Sequence, residues 1–592
     1  MSVSANLAAL RSELEKRGLH AFYIPITDEH MSEYVGDYAQ RITWATGFAG
    51  SAGNAVIGLE KAAVFVDGRY TIQVKQEVDG DLFDRHHFQE YPLLDWVADT
   101  LKAGEKIGYD PELATTDFVK QLEQAAKRAG AEAVATDGNP IDSVWDTQPA
   151  APLSEVVMHD VKYAGKSAAD KRADIASILK KQQADSAVIT MLDSVAWAFN
   201  IRGKDVLNTP VVHAFALMHA DETADLFVNP EKITDPVREA LGNTVRLRPR
   251  DEFYPALSEL GLAGKTVLVD KDTNNSKVFS SLEKAGASLV HGQDPCILPK
   301  AIKNEVEQQG SRDAHIRDGA AITEFLHWLS VEAPKGELDE LACVDKLWEF
   351  RQKRTMLNDR SFDTISGAGP NGALPHYRVS EESNRKLDLN SLYLVDSGGQ
   401  YNDGTTDITR TIAVGTPSDE MIDRYTRVLK GHIQLTLAKF PVGTPGMALD
   451  TIARAPLWAV GLDYDHGTGH GVGSYLAVHE GPQRIAKGSS PVPLAPGMIL
   501  SNEPGYYKDN EYGIRIENLV LVKPLSGDFE RSMLGFENLT WAPLDPTLID
   551  VTLLTAEERT WVNDYHAKVL ELILPQVDGD CATWLKQVCQ PL

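Results

Sequence analysis

The stretch LYLVDSGGQYNDGTTDITRTIAV, residues 392–414, contains two apolar runs separated by a polar, glycine-rich segment. Asp396 lies at the end of the first run, and Asp407 lies eleven residues later at the start of the second. The intervening SGGQYNDGT has the composition of a turn, so the sequence predicts a β-hairpin that brings both carboxylates together. Asp403 is expected to be a turn residue. Taken alone, the other two aspartates could equally cap or support turns, as aspartates near glycine commonly do.

Two glutamates further along the chain also lie at strand ends. GMILSNEPGYY, residues 497–507, runs from an apolar strand into Glu503, and RIENLVLV, residues 515–522, places Glu517 at the head of another strand. A buried glutamate needs a cation or an arginine as its partner. Arg515 precedes Glu517 by two residues, so on one strand both side chains would face the same side. A Glu–Arg pair without a metal is therefore an open alternative for this segment.

Histidines are concentrated in one glycine-rich segment, HGTGHGVGSYLAVHEGP, residues 466–482, which contains His466, His470 and His479. The glycines let the backbone approach a site closely and leave the imidazole of His470 accessible. A single histidine is more often a hydrogen-bonded structural residue than a ligand, but three in one such loop favour a site. A further histidine, His376, lies in GPNGALPHYRVS, residues 369–380, which predicts a loop near a pocket.

Five side chains together form a candidate ligand set for metal ions: Asp396, Asp407, His470, Glu503 and Glu517. Four carboxylates and one imidazole make a hard, oxygen-rich site that suits divalent ions such as Mn²⁺ or Co²⁺, with Zn²⁺ also possible. Buried carboxylates at this density repel one another unless cations neutralise them. The set therefore predicts two metal ions, and a metal pair predicts a hydrolase.

Composition limits the classes of partner. The 592 residues carry a formal charge of −27, and the lysines and arginines form no basic stripe. Such a surface repels nucleic acid and anionic membranes, so neither is expected as a partner. The N-terminal pattern lacks the features of a secretory signal, and no apolar run approaches the roughly 20 residues that span a bilayer. Four dispersed cysteines predict free buried thiols and a cytoplasmic location.

Alternating helix and strand patterns predict more than one α/β domain in a chain of this length. AFYIP, NAVIGL and AAVFVDG predict strands, and a similar plan restarts near residue 165 with ADKRADIASILKKQQ, SAVITML and KTVLVD. QRITWATGFAG and DSVAWAFNIRG share a Trp–Ala step, which supports a weak internal repeat. Later residues are rich in short strands and glycine turns, and TAEERTWVNDYHAKVLELILPQV predicts a C-terminal helix capped by Thr555.

Four strings, VDSGGQYNDGTTDITRT, HGTGHGVG, NEPGYY and RIEN, together resemble the pita-bread metallopeptidases, a group that includes methionine aminopeptidase, prolidase, aminopeptidase P and creatinase. The resemblance is strongest to the cytosolic, three-domain type of Xaa-Pro aminopeptidase and extends to DGRYTIQ and LDSVAWAFNIRG. It implies a mixture of α/β and α+β architecture. The implied domains are two related creatinase-like α/β domains (1–155 and 156–302), a pita-bread catalytic domain (303–530) and a packed C-terminal extension (531–592).

The resemblance implies a metal-binding role for each member of the ligand set. Asp407 and Glu517 would bridge two divalent ions, which the family favours as Mn²⁺. Asp396, His470 and Glu503 would complete the coordination. Glu503 would also take a proton from the attacking water and return it to the leaving nitrogen.

The resemblance also implies roles for side chains that are not ligands. His376, His466 and His479 match the active-site histidines of the family, which bind substrate and stabilise the tetrahedral intermediate. Arg515 matches an arginine that orients the bridging glutamate, and it is also expected among the substrate-binding residues.

The implied reaction is hydrolysis of the amino-terminal Xaa-Pro bond of oligopeptides, carried out by a homodimer. A prolidase-like Xaa-Pro dipeptidase is one alternative, but the second α/β domain and the C-terminal tail favour the aminopeptidase. An inactive pita-bread protein that binds partners is an alternative of another class. Such proteins and the metal-free creatinases typically lack ligands, whereas this chain retains all five.

Overall fold

The computed structural model describes residues 2–488 and 491–592. The chain forms two compact units. The N-terminal unit comprises the chain up to His159 together with Lys166–Ile297, and the C-terminal unit comprises Asp160–Gly165 and Leu298–Leu592. Among the helices of the described ranges, none is both long and apolar enough to cross a bilayer.

The N-terminal unit begins with a six-stranded sheet of order β4-β3-β2-β1-β5-β6. The elements of this part are α1 Val3–Lys16, β1 Ala21–Pro25, α2 Arg41–Thr46, β2 Gly53–Gly58, β3 Ala62–Val66, α3 Gln73–Glu77, β4 Asp84–His87, α4 Leu93–Thr100, β5 Lys106–Tyr109, α5 Thr116–Arg128 and β6 Glu132–Ala135. Strand β1 is apolar throughout because both of its faces are covered. Phe22 and Ile24 pack into one cluster, while Ala21 and Tyr23 pack into another, as the two-residue period of a strand requires.

A second six-stranded sheet in the same unit repeats this topology in the order β12-β11-β10-β8-β13-β14. The elements are β7 Val157–Met158, α6 Val161–Ala164, α7 Ala168–Lys181, β8 Ser186–Ile189, α8 Leu192–Phe199, β9 Ile201–Arg202, β10 Ala214–His219, β11 Ala224–Val228, α9 Asp235–Leu241, β12 Val245–Arg248, α10 Phe253–Leu262, β13 Thr266–Val269, α11 Ser276–Ala285 and β14 Ser288–His291. Of these, α6 belongs to the C-terminal unit.

The two sheets also share their pairing pattern, which confirms the internal repeat predicted from the sequence. In each sheet the third and fourth strands of the order run antiparallel, and the fourth and fifth run parallel. The helices that carry the Trp–Ala step, α2 and α8, follow the matching strands β1 and β8. Both helices end in a left-handed residue, Gly47 with φ 84° and Asn200 with φ 51°.

The C-terminal unit contains long helices and several short, mainly antiparallel sheets. Its helices are α12 Ile297–Ala301, α13 Glu305–Glu332, α14 Glu340–Gln352, α15 Asp419–Thr436, α16 Asp450–Trp458, α17 Ala556–Ile573 and α18 Gly579–Val588. Its strands are β15 Leu357–Arg360, β16 Ile365–Ala368, β17 Ser391–Ser397, β18 Gly399–Tyr401, β19 Gly404–Thr405, β20 Ile408–Val414, β21 Phe440–Pro441, β22 Gly469–His470, β23 Arg484–Ile485, β24 Ile499–Asn502, β25 Gly505–Lys508, β26 Tyr512–Arg515, β27 Asn518–Pro524 and β28 Met533–Asn538.

The hairpin predicted from residues 392–414 is present. Strands β17 and β20 pair antiparallel over seven residue pairs, and Asp396 lies opposite Thr409. The connecting segment is more ordered than a simple turn, because β18 and β19 form a second small hairpin within it. Asp403 lies in this segment and is buried, with an ion pair to Arg317.

The C-terminal extension packs into an apolar core of the C-terminal unit. Helix α17 is capped by Thr555, whose hydroxyl accepts a hydrogen bond from the backbone N–H of Glu558, while the Glu558 carboxylate accepts one from the backbone N–H of Thr555. This capping box confirms the predicted helix start. Buried side chains of α17 and α15 meet in this core: Val562, Tyr565, Val569 and Ile573 from α17, and Tyr425, Val428, Leu429 and Ile433 from α15.

Candidate metal centre

Four of the five predicted ligands meet at the ends of short strands. One ligand atom each of Asp407, His470 and Glu517 lies within 4.8 Å of the other two. The Nε2 atom of His470 lies 3.5 Å from Oδ2 of Asp407 and 3.5 Å from Oε1 of Glu503. The strand pattern explains this meeting, because His470 ends β22, Asp407 precedes β20, Glu503 follows β24 and Glu517 precedes β27.

Asp396, the fifth predicted ligand, lies beside Asp407. Its negative charge contributes to raising the pKa of the Asp407 carboxyl. One oxygen of each aspartate, Oδ1, is buried and has no hydrogen-bond partner among the described residues. Buried carboxylate oxygens that lack a donor are the atoms that a cation would bind.

Burial and mutual repulsion dominate the electrostatics of the cluster. Burial raises the pKa of Asp407 well above its ordinary value, and the neighbouring carboxylates Asp396 and Glu503 raise it further. Burial also raises the pKa of Glu517, with Asp407, Asp396 and Glu503 adding to the effect. The nearby guanidinium of Arg515 lowers both pKa values without reversing either shift. This donor set fits divalent cations, because ions would neutralise the repulsion and use oxygens that the protein leaves without donors.

Arg515 organises one side of the cluster. Its guanidinium donates to Oδ2 of Asp396 at 2.6 Å, to the hydroxyl of Tyr507 at 2.5 Å and to Oγ1 of Thr409 at 3.1 Å. The Thr409 hydroxyl donates in turn to Oε2 of Glu517 at 2.7 Å. The expectation that Arg515 and Glu517 share one strand is wrong, because β26 ends at Arg515 and β27 begins only at Asn518. Arg515 therefore reaches Asp396 directly and Glu517 through Thr409.

Thr409 and Tyr507 are the contributors to this network that sequence reasoning missed. Thr409 lies two residues after Asp407 at the start of β20, so the two-residue period of a strand could have placed both side chains on one face. Tyr507 lies in β25, four residues after Glu503. Its hydroxyl bonds Arg515 and also lies 2.8 Å from Nε2 of His466.

Two of the predicted histidines, His466 and His479, lie beside candidate metal ligands, and the third, His376, lies in a separate turn. Nδ1 of His466 is 4.0 Å from Oε2 of Glu503. The ring of His479 packs edge-on against the ring of His470, with 4.3 Å between centroids. His376 lies in a turn beyond the short helical segment 369–373. Its neighbour Tyr377 packs with Ile365 and Leu394 in a small cluster that also contacts Tyr507. These contacts place the turn that carries His376 near Tyr507, which borders the cluster of candidate metal ligands.

The loop that carries His470 and His479 is fixed by a buried ion cluster. Glu480 accepts from Nζ of Lys303 at 2.5 Å and lies 3.0 Å from Nζ of Lys300, and all three side chains are about 1% exposed or less. The backbone N–H of Glu480 donates to the carbonyl of Gly471 at 2.8 Å, which closes the loop. At its far end, the carbonyl of Leu476 accepts from Nε2 of Gln400 at 2.8 Å, so the loop is also tied to strand β18.

Comparison with known protein families divides the chain into four regions. Residues 309–524 match the model of metallopeptidase family M24. Residues 6–143 and 147–307 match two models described as the creatinase/prolidase N-terminal domain. Residues 532–592 match a model described as the C-terminal region of peptidase M24.

Some relatives match this chain along its whole length. A protein of Coccidioides posadasii named probable Xaa-Pro aminopeptidase P is 41% identical over 614 aligned positions that cover 100% of both chains. The chain belongs to metallopeptidase family M24. Within M24 its relatives include aminopeptidase P2 of Arabidopsis thaliana, which is 39% identical over 97% of this chain and 86% of that protein.

Solved structures agree with the fold of this M24 protein. The X-prolyl aminopeptidase of Caenorhabditis elegans, described as a cytosolic enzyme with a di-nuclear active site, is 35% identical, covers 100% of both chains and superposes with a TM-score of 0.96. An Xaa-Pro dipeptidase from Bacillus anthracis is 23% identical, has a TM-score of 0.52 and covers 64% of this chain and 99% of its own. The expected architecture, two creatinase-like domains followed by a pita-bread domain, is confirmed.

Replacing Glu480 with alanine should lower the free energy of unfolding by about 3–5 kcal/mol, because two buried ammonium groups would lose their shared carboxylate. Denaturant unfolding followed by circular dichroism measures the change. Glu571→Ala is the matched control, because the Lys568–Glu571 pair, 2.7 Å long, lies on an exposed helix face. Its loss should cost at most about 1 kcal/mol. Equal, small losses in both variants would contradict the anchoring of the histidine loop.

Proposed function

We propose that this M24 protein is a metal-dependent aminopeptidase that hydrolyses the amino-terminal Xaa-Pro bond of oligopeptides. The observation that carries the proposal is the buried cluster of acidic side chains around His470, in which carboxylate oxygens lack hydrogen-bond donors. The full-length similarity to proteins named Xaa-Pro aminopeptidase P supports the choice of substrate. An inactive binding protein is not favoured, because the cluster keeps every side chain that the metal site requires.

The ligands of two divalent ions are the five side chains predicted from the sequence: Asp396, Asp407, His470, Glu503 and Glu517. Asp407 and Glu517 would be the carboxylates that both ions share, which their burial and strongly raised pKa values support. When bound, the ions supply Lewis acidity for the scissile carbonyl and lower the pKa of the water that attacks it. We assign Mn²⁺ as the native ion, with Co²⁺ or Zn²⁺ able to occupy the same oxygen-rich donors.

The remaining chemistry belongs to side chains around the cluster. The carboxylate of Glu503 takes the proton of the attacking water and returns it to the proline nitrogen as that nitrogen leaves. His466 lies beside Glu503, and His479 lies against His470, so both border the place where the peptide carbonyl and the oxyanion that develops from it would be bound. His376, in the turn on the Tyr507 side, completes the substrate-binding histidines.

Arg515 acts in this proposal as a positioning residue. Its side chain is only 2% exposed, and its bonds go to Asp396, Tyr507 and Thr409. Through Tyr507 it joins a metal ligand to His466, so the ligand and the substrate-binding imidazole are held in one geometry.

Proline explains why a dedicated site is needed. An Xaa-Pro bond is a tertiary amide with no N–H, and the proline ring fixes φ, so peptidases that bind substrates as β-strands handle it poorly. A site that anchors the free amine and packs the proline ring does not require that N–H. The peptide substrates are therefore those with proline in the second position.

We also propose a cytoplasmic homodimer. The cytoplasmic assignment is supported by the cytosolic description of the C. elegans relative and by four buried, free cysteines, which suit a reducing compartment. The dimer rests on the family resemblance. The domain borders at 155/156, 302/303 and 530/531 are part of the same proposal.

Asp407→Asn should remove one bridging carboxylate and with it the tight binding of the second ion. Turnover of an Arg-Pro-Pro peptide should fall by more than about 100-fold, the upper range for losing groups that only support a ligand. Peptide hydrolysis and elemental analysis of the purified variant measure both effects. Asp509→Asn, in an exposed turn, is the charge-matched control and should behave as the parent protein. Full metal content and full turnover in the Asp407 variant would contradict the assignment.

Peptide length separates an aminopeptidase from a dipeptidase. Arg-Pro-Pro should be cleaved after arginine, whereas the dipeptide Arg-Pro should be a poor substrate. Arg-Ala-Pro controls for the need for proline in the second position and should resist cleavage. Each rate is measured by using chromatography to monitor the release of free arginine. Faster hydrolysis of Arg-Pro than of Arg-Pro-Pro would replace the proposed function with that of a prolidase-like dipeptidase.

A further inference from the structure

Arg410 is a buried arginine in β20 that has no acidic partner among the described residues. Only 2% of the Arg410 surface is exposed. All six of its hydrogen bonds within the described chain go to carbonyl, amide or hydroxyl oxygens, and none goes to a carboxylate. A buried guanidinium held in this way depends on the correct placement of every acceptor, because no single ion pair offsets its desolvation.

Three of these bonds are made at or near two proposed metal ligands, two of them to main-chain carbonyls and one to a side-chain amide. One terminal nitrogen of Arg410 donates to the carbonyl of Glu517 at 2.8 Å and to the carbonyl of Thr409 at 2.9 Å. The other donates to Oδ1 of Asn518 at 2.9 Å. The Thr409 hydroxyl also donates to the Glu517 carboxylate. Arg410 therefore holds the backbone of Glu517 and also the backbone of Thr409, the residue that donates to its carboxylate.

The other three bonds go to the C-terminal extension. Arg410 donates to the carbonyl of Ala542 at 3.0 Å, to the carbonyl of Pro543 at 3.2 Å and to the hydroxyl of Tyr565 at 2.8 Å. The Tyr565 hydroxyl donates a hydrogen bond to the carbonyl of Ala542 at 2.8 Å. The guanidinium therefore bridges the metal-binding strands and the region 532–592.

The phenol of Tyr565 is held rigidly. Its ring stacks on Trp541 at 5.5 Å between centroids and on Trp561 at 5.1 Å, with interplanar angles of 24° and 9°. Aromatic stacking on two rings restricts the rotation that would carry the hydroxyl away from Arg410. Trp561 and Tyr565 both lie on α17, so the position of the hydroxyl follows from the docking of that helix.

We propose that the C-terminal extension positions a ligand of the metal centre. Tyr565, Ala542 and Pro543 of the extension hold Arg410, and Arg410 positions Glu517. This inference rests on the proposed function, since Glu517 is a metal ligand only in that proposal. Arg410 and Tyr565 are positioning residues that touch neither substrate nor metal. The extension thus does more than add apolar surface to the core.

The test measures metal binding to metal-stripped Tyr565→Phe protein by titration calorimetry with Mn²⁺. The affinity of the more weakly bound ion should fall on the order of 10-fold, as expected when a group that supports a ligand is lost. Hydrolysis of Arg-Pro-Pro is then measured at a fixed, sub-saturating Mn²⁺ concentration. Under this condition kcat should fall, while KM should stay near the parent value. Arg410→Lys keeps the charge but loses the planar fork of donors, so its affinity should fall at least as far.

Tyr425→Phe is the matched control, because Tyr425 is fully buried in the same core and makes no hydrogen bond to Arg410 among the described contacts. It should bind Mn²⁺ as the parent protein does, whatever its melting temperature. Parent-like Mn²⁺ affinity in both Tyr565→Phe and Arg410→Lys would overturn the inference and leave only a structural role. A parent protein that binds no Mn²⁺, Co²⁺ or Zn²⁺ would overturn the proposed function itself, and the inference with it.

Discussion

The repulsion among buried carboxylates is the constraint on which the C-terminal unit depends. Burial raises the pKa values of Asp407 and Glu517 well above the ordinary range, and the neighbouring carboxylates Asp396 and Glu503 raise both values further. A charged cluster of this kind is unfavourable without cations, so metal binding and the stability of the site are coupled. The same repulsion that destabilises the bare cluster makes it a strong site for two divalent ions.

Neutral and cationic donors on rigid strands hold the carboxylates in place against this repulsion. Arg515 binds Asp396, Thr409 binds Glu517, and Arg410 binds the Glu517 carbonyl. These donors come from β20 and β26, which themselves flank the ligands in the chain. The histidine loop is fixed separately, by Glu480 and its two buried lysines. Positioning groups are therefore distributed over several elements, and Asp396, Glu517 and the histidine loop are each held by separate contacts.

Much of the fold could be predicted from local sequence. The hairpin of β17 and β20, the repeated α/β plan and the capped start of α17 all follow from short-range patterns of apolar residues, turns and caps. The ligand candidates could be recognised because each one lies at a strand end or in a glycine-rich turn. Their convergence was suggested by their order along the chain, and the structure supplied the distances.

The supporting contacts could not be predicted because they join distant residues. Glu480 and Lys303 are 177 positions apart, and Arg410 and Tyr565 are 155 apart. No local pattern links such pairs. Arg515 shows a second limit: its distance of two residues from Glu517 suggested one strand, but the chain leaves β26 at Arg515 and changes its pairing partner.

Removal and return of metal test the central claim most directly. The full-length protein is stripped with a chelator, assayed with Arg-Pro-Pro, and then titrated with Mn²⁺ while activity and bound metal are measured together. Hydrolysis should be lost after stripping and should recover as about two ions bind per chain. Undiminished hydrolysis by metal-free protein, or recovery without any bound ion, would contradict the central claim.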